Sequence, residues 1–212
     1  MTKYFTILFS GIVVLTLATM SYFSFWVDGK ACGSSVVAGG QGSIGGSFEL
    51  VDHNGVEVTE KDVINGLTLI YFGYTYCPDI CPLDTQRNLT TVDILDEQGV
   101  DITPVFITID PERDNISALN DYVQASHERL IGLTGSLEQI KTASKAYKTF
   151  FRKNGDGEDY LLDHSTFSYL MDKSGFLQFF RRDLEHEEVV GLMAHGSWLM
   201  AHGSWLMAHG SW

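Results

Sequence analysis

The composition argues against a nucleic-acid-binding protein and limits the number of domains. The 212 residues include 27 Asp and Glu but only 14 Lys and Arg, giving a formal net charge of -13. A nucleic-acid binder needs a basic face for phosphates, which this balance does not favour. The length suffices for one domain of ordinary size with appendages.

The chain opens on an apolar segment. Residues 4–27 contain no charged side chain, and Lys3 precedes them. A helix needs about 20 apolar residues to cross a bilayer, whereas the apolar core of a cleavable signal has roughly 7 to 15. The sequence therefore predicts a transmembrane anchor over residues 1–27, with the bulk of the chain outside the cytoplasm. A long signal peptide is the alternative.

A linker rich in Gly and Ser is predicted to follow over residues 28–47. Its cysteine, Cys32, lacks a convincing lipoprotein pattern before it, so we interpret it as a linker thiol. The folded domain is expected over residues 48–191.

The first half of this domain is predicted to alternate strands with a helix. A hairpin turns at Asn54-Gly55, and a continuous apolar run over 67–76 is typical of a strand buried on both faces. A helix is predicted over 82–98, with Leu83 on its apolar side, and a second buried strand over 102–110.

The second half repeats this pattern and adds an antiparallel pair. A helix is predicted over 115–128, a short strand over 130–135, and a helix from Ser136 to about Phe151 with Gln139 as its capping partner. A hairpin around Lys173-Ser174-Gly175 and a last helix from near Leu184 complete the domain. The order predicts an α/β, thioredoxin-like fold in which helices flank a mixed central sheet.

The tail over residues 192–212 repeats the heptad LMAHGSW three times without a mismatch. Gly in every copy makes it a poor coiled coil, so a recent duplication or a sequence artefact is the preferred interpretation. A second hypothesis treats its Met/His pairs as soft-metal ligands; the pairs are Met193/His195, Met200/His202 and Met207/His209.

Two cysteines mark the candidate site. Cys77 and Cys81 lie four positions apart, between the first predicted central strand and the helix that Pro82 is expected to open. A helix N-terminus favours thiolate over thiol. A disulfide across so short a loop would stabilise the fold little, so a redox pair and a metal site both stay open. The spacing differs from the Cys-x-x-Cys of thioredoxin-type oxidoreductases, and two thiolates with an imidazole would suit Cu(I).

The third ligand would come from a histidine. His53, His127 and His186 lie in a predicted turn, at a helix end and in an acidic surface helix, where solvated side chains are expected. His164 follows a polar loop and precedes a predicted buried strand. A thioredoxin-like arrangement could bring it beside the cysteine loop, although a capping role is equally open.

Three segments together resemble the SCO/SenC family of membrane-anchored copper proteins. They are YFGYTYCPDICP, FITIDPERD and DHSTFSYLMDKSGF, and the resemblance covers roughly residues 47 to 190. It implies copper bound by Cys77, Cys81 and His164. It also implies that copper is delivered to, or cysteines are reduced at, the binuclear copper site in subunit II of cytochrome c oxidase.

The function expected from this resemblance is that of a copper metallochaperone in the inner membrane, with its domain in the periplasm or an equivalent compartment. The alternative is a thiol-disulfide oxidoreductase that uses Cys77 and Cys81 as its redox pair, and a redox sensor is a third option. Asp163 is a candidate for orienting the imidazole, or a solvated loop acid. Asp79 and Asp110 are interpreted as capping or turn residues that could also tune the loop or dock a partner.

Overall fold

The computed structural model describes residues 44–194 and gives the bounds of each element within them. The strands are β1 Glu49–Asp52, β2 Glu57–Thr59, β3 Leu67–Gly73, β4 Ile102–Thr108, β5 Ile131–Thr134, β6 Phe151–Asn154, β7 Leu161–His164, β8 Ser168–Asp172 and β9 Gly175–Phe180. The helices are α1 Glu60–Val63, α2 Ile80–Glu97, α3 Ile116–Ser126, α4 Leu137–Ala146 and α5, described over 186–194.

Several predictions fall outside these residues. They are the anchor over 1–27, Cys32, almost all of the linker, and the tail from His195 onwards. Among the described helices, none combines the length and the apolar character needed to cross a membrane.

Seven strands form one mixed sheet in the order β2-β1-β5-β4-β3-β8-β9. Strands β3, β4 and β5 are parallel, and the antiparallel neighbours β1 and β8 flank them. Strands β6 and β7 form a separate antiparallel hairpin. This arrangement confirms the predicted mixed central sheet flanked by helices.

The central strand β3 is covered on both faces, as its continuous apolar run predicts. Leu69 belongs to a buried cluster with Val92 and Leu95 of α2. The ring of Phe72 packs instead against Tyr147, with centroids 5.4 Å apart. Because both faces are buried, the carboxyl end of β3 is a rigid base for the loop that carries the cysteines.

Two local predictions are confirmed. The turn between β1 and β2 contains Gly55 at φ 84°, a backbone conformation that glycine adopts without a steric penalty. Helix α4 begins with a capping box, in which Gln139 donates its backbone N–H to Ser136 Oγ at 3.3 Å while its side-chain oxygen accepts from the Ser136 N–H at 2.8 Å.

Other predictions were wrong in detail. Helix α4 ends at Ala146 rather than near Phe151, and Lys148 then adopts φ 56°. Phe151 instead begins β6, and the sequence analysis missed the β6–β7 hairpin. Strand β6 is mostly exposed, so it lacks the apolar alternation that marks a half-buried strand. Leu83 is 61% exposed because the buried face of α2 near its start is formed largely by polar side chains.

The first methionine of the tail repeat is a core residue. Met193 is 1% exposed and packs in one cluster with Val189 of α5 and Leu95 of α2. This burial contradicts its proposed role as a metal ligand. The rest of the repeat lies outside the described residues.

Candidate metal centre

The cysteine loop connects the end of β3 to the start of α2. A Cβ atom on Gly73, the last residue of β3, would lie 2.9 Å from the rings of Phe106 and Tyr71 and 3.2 Å from Cys81 Sγ. The missing side chain therefore lets Cys81 pack directly on the end of the strand. This contact fixes one sulfur at the carboxyl edge of the sheet.

The two cysteines occupy different environments. Helix α2 begins at Ile80, two residues before the predicted start, so Cys81 lies within its first turn and is 0% exposed. Cys77 lies in the loop and is half-buried. The Cys81 N–H donates to Cys77 Sγ at 3.4 Å. Both cysteines are free thiols.

These environments shift the two thiol pKa values in opposite directions. Burial would raise the pKa of Cys77, but the backbone N–H groups of Cys81 and Asp79 outweigh it and lower that pKa below its ordinary value. Burial raises the pKa of Cys81 well above its ordinary value. Cys77 is therefore the more readily ionised sulfur, and Cys81 is held as a thiol until another group takes its proton.

The hairpin that the sequence analysis missed brings His164 to this loop. His164 ends β7, and its Nε2 lies 3.3 Å from Cys81 Sγ, although 83 residues separate the two in the chain. Its Nδ1 lies 2.8 Å from the Ser165 carbonyl oxygen. Because a carbonyl only accepts, Nδ1 carries the hydrogen and Nε2 of the neutral ring presents a lone pair to Cys81. Burial lowers the pKa of His164, which favours this neutral form.

Two tyrosines form the walls around the imidazole. The rings of Tyr71 and Tyr74 meet His164 edge-on, with centroids 6.4 and 5.9 Å away. Tyr74 Oη also accepts the Leu162 N–H at 3.3 Å, which ties the hairpin to the cysteine loop. Sequence reasoning treated both tyrosines only as strand formers. The available signal was the presence of aromatic residues directly ahead of Cys77.

A buried carboxylate also lies close to the cysteines. Tyr71 Oη donates to Asp84 Oδ2 at 3.1 Å, and Asp84 is 4% exposed. Burial raises the pKa of Asp84, and Arg87, whose guanidinium lies 3.8 Å from it, opposes that shift. Asp84 is not a sequence-predicted site residue, because a charged residue near the start of a helix ordinarily indicates an exposed position.

The predicted carboxylates have other partners. The side chain of Asp163 is 40% exposed and accepts from Arg152 at 2.8 Å and Asn154 at 3.0 Å. The hydrogen bond from the imidazole goes to the Ser165 carbonyl instead, although the Asp163 charge raises the pKa of His164 against the larger effect of burial. Asp79 is the N-cap residue of α2, but its side chain makes no capping hydrogen bond.

The other described histidines have separate partners. His53 Nδ1 accepts the Gly132 N–H at 3.2 Å. His127 Nε2 lies 2.9 Å from Asp93, and His186 Nε2 lies 3.1 Å from Glu187.

The three predicted ligands form a chain of contacts from Cys77 through Cys81 to His164. In the part of the chain covered by residues 44–194, no group of three or more His, Cys, Asp or Glu side chains is arranged so that it could hold a metal ion. With sulfur and nitrogen bonds near 2.3 and 2.1 Å, the two ligand atoms of a trigonal site stand about 3.8 Å apart. The 3.3 Å between Cys81 Sγ and His164 Nε2 is a hydrogen-bond distance. The donor types fit a soft metal, and binding one requires the side chains to move by some tenths of an ångström or more.

A comparison with protein families identifies the group to which the chain belongs. The family model described as SCO1/SenC matches residues 37–195. The chain belongs to the SCO1/SenC family. This match confirms the resemblance that the three sequence segments predict.

Individual relatives extend this result. The chain is 48% identical over 148 residues to Protein SenC of Rhodobacter capsulatus, covering 69% of this chain and 67% of that protein. It is similar to Arabidopsis thaliana ScoI solved with copper bound, at 40% identity and a TM-score of 0.68, over 71% of this chain and 95% of that one.

Two further structures support the fold. Yeast Sco1 with copper bound is 36% identical, with a TM-score of 0.68 over 73% of this chain and 88% of that one. BsSco, described as a member of the Sco family of cytochrome c oxidase assembly proteins, is 21% identical, with a TM-score of 0.61 over 77% of this chain and 98% of that one. The likeness to Sco structures confirms the predicted thioredoxin-like fold.

Proposed function

We propose that this chain is a membrane-anchored copper metallochaperone that binds copper through Cys77, Cys81 and His164. The observation that carries the proposal is the 3.3 Å distance between His164 Nε2 and Cys81 Sγ. The hairpin that carries His164 is joined to the cysteine loop by the hydrogen bond from the Leu162 N–H to Tyr74 Oη. Copper-bound structures of family members support copper as the metal.

The donor set favours Cu(I). Two thiolates and one imidazole are soft ligands in low number, whereas a structural zinc site uses four. His164 is held as the neutral tautomer with its Nε2 lone pair towards Cys81. Binding would displace the proton that Cys81 shares with the imidazole and draw in the Cys77 thiolate, whose pKa is already lowered.

The two sulfurs would have unequal roles in transfer. Cys81 lies in the helix against the end of β3 and is fully buried, so it anchors the ion to the domain. Cys77 is half-buried in the loop, where a ligand from an acceptor can approach it. Ligand exchange would begin at Cys77 and end with the release of Cys81 and His164.

The proposed membrane topology is the one that the sequence predicts. Residues 1–27 anchor the chain in the inner membrane, residues 28–47 form a linker, and the domain over 48–191 lies in the periplasm or an equivalent compartment. The proposed acceptor is the binuclear copper site in subunit II of cytochrome c oxidase. BsSco is a member of the Sco family of cytochrome c oxidase assembly proteins, which supports the oxidase as a partner.

One observation favours a second function, reduction of cysteines in the oxidase subunit. The pair combines a half-buried sulfur of lowered pKa with a buried sulfur of raised pKa. Cys77 would attack a target disulfide as the thiolate, and Cys81 would resolve the mixed disulfide. Two electrons and two protons pass from the pair to the target, which leaves a Cys77–Cys81 disulfide and two target thiols.

Copper titration of the full, reduced chain in detergent separates these functions. We expect one tight Cu(I) per chain in anaerobic competition with a Cu(I) chelator. His164→Ala should weaken binding by more than about 100-fold, since residues that only orient a ligand already contribute about 10- to 100-fold. The variant should still form the Cys77–Cys81 disulfide. His127→Ala is the matched control, since its imidazole contacts Asp93 outside the site. If His164→Ala still bound Cu(I) tightly, His164 would not be the third ligand and that part of the proposal would be wrong.

A further inference from the structure

The FITIDPERD segment supplies a turn that joins the two ligand-bearing parts of the site. Residues 110–114 follow β4 and lie between the cysteine loop and the β6–β7 hairpin. The proposed function assigns no role to this turn. Its side chains contact the residue before Cys77 on one side and the residue before β7 on the other.

The contacts to both parts converge on one guanidinium group. The Cζ atom of Arg113 lies 3.7 Å from the ring centroid of Tyr160 and 4.9 Å from that of Tyr76. Tyr76 directly precedes Cys77, and Tyr160 directly precedes the strand that ends at His164. Arg113 Nη1 also donates to the Glu158 carbonyl oxygen at 3.3 Å.

The carboxylate of Asp110 holds the Arg113 guanidinium in place. Arg113 Nε donates to Asp110 Oδ2 at 2.5 Å, while Asp110 Oδ1 accepts from Tyr160 Oη at 2.6 Å. The Arg113 side chain is only 16% exposed. Its buried Nη2 has no hydrogen-bond partner among the described residues, and a guanidinium over an aromatic ring is attracted by the ring's negative face.

The same turn also fixes the cysteine loop through its last residue. Asp114 is fully buried and accepts hydrogen bonds from the Thr75 N–H at 2.9 Å, the Thr75 hydroxyl at 2.5 Å and the Thr108 hydroxyl at 2.6 Å. Asp114 therefore fixes the cysteine loop to the end of β4.

Asp110 and Glu112 of the turn also accept from Tyr160 Oη, at 2.6 and 3.3 Å. Arg113 differs from them because its guanidinium contacts the cysteine loop, at Tyr76, as well as Tyr160.

From this geometry we propose that Arg113 is a positioning residue of the metal site, which clamps the hairpin that carries His164 against the loop that carries Cys77. The inference rests on the proposed function. Stacking on two rings needs a planar guanidinium, and the compact ammonium group of lysine does not replace it. Loss of the clamp would let the hairpin separate from the loop and take His164 away from Cys81.

Cu(I) competition with the full chain in detergent tests this role through a double-mutant cycle. The four proteins are the wild type, Arg113→Gln, His164→Ala and the double variant. Arg113→Gln should weaken Cu(I) binding by about 10- to 100-fold, the range for residues that orient a ligand. In the His164→Ala background it should change binding by less than about twofold. An equal loss in both backgrounds would show that Arg113 acts on the fold as a whole, and would overturn the proposal.

Two controls accompany the cycle. Arg113→Lys keeps the charge but should recover little of the lost affinity. Arg129→Gln removes a guanidinium that pairs with Asp96 and Asp101 elsewhere on the surface, and it should bind Cu(I) like the wild type. Full recovery in Arg113→Lys would contradict a role for stacking.

Amide hydrogen exchange tests the clamp without copper. The Leu162 N–H, which donates to Tyr74 Oη across the junction, should exchange at least about tenfold faster in Arg113→Gln. The Leu170 N–H of the central sheet should keep its wild-type rate. Unchanged exchange at Leu162 would overturn the proposal. If the wild type failed to bind copper, the proposed function would fall, while the exchange rates would still decide the role of Arg113.

Discussion

Replacing Gly73 by alanine tests whether the close packing of Cys81 on the end of β3 is needed for stability and for Cu(I) binding. The new Cβ would lie 2.9 Å from the rings of Phe106 and Tyr71 and 3.2 Å from Cys81 Sγ. All three neighbours are buried, so the methyl group has no open space to enter. Overpacking of this kind costs about 1–3 kcal/mol of unfolding free energy. In a domain of roughly this size each kcal/mol lowers Tm by about 2–4 °C, so the expected decrease is about 2–12 °C.

Thermal unfolding of the full chain, followed by circular dichroism, measures this change. Gly66→Ala is the matched control, because a Cβ there meets nothing within 4 Å. Its free energy of unfolding should stay within about 0.5 kcal/mol of the wild type. The Gly73→Ala variant should also bind Cu(I) more weakly, since the methyl group pushes Cys81 Sγ from its place. A Gly73→Ala protein with the same Tm as Gly66→Ala and the same Cu(I) affinity as the wild type would refute the reasoning.

Two further predictions concern thiol reactivity and a buried hydroxyl. At pH 7.5, iodoacetamide should modify Cys77 at least tenfold faster than Cys81, because Cys77 is more exposed and its pKa is lowered; equal labelling by peptide mass spectrometry would contradict this assignment. Ser168→Ala should lower the unfolding free energy in urea by about 1–3 kcal/mol, because it removes a buried partner 2.8 Å from Asn88 Nδ2. Ser174→Ala, in an exposed turn, should change it by less than about 0.5 kcal/mol, and a similar loss there would be the contrary result.

Local rules accounted for much of the fold. The continuous apolar run over β3 predicted a strand covered on both faces, and Ser136 with Gln139 predicted the start of α4. The β6–β7 hairpin escaped these rules, because its first strand is largely exposed and therefore carries no regular apolar pattern. Tertiary contacts hold the hairpin in place, among them the hydrogen bond from the Leu162 N–H to Tyr74 Oη.

The candidate site shows the same division. The spacing of Cys77 and Cys81 and the helix that follows them are local features, so the sequence by itself determined that both sulfurs lie at the mouth of a helix. The partner of His164 was not a local feature, because 83 residues separate it from Cys81. Only the tertiary structure decided that contact, and it also placed Arg113 between the two segments. The physical reason is that hydrogen bonds and ring stacking between distant segments depend on strand order and hairpin docking, which leave no periodic signal in the chain.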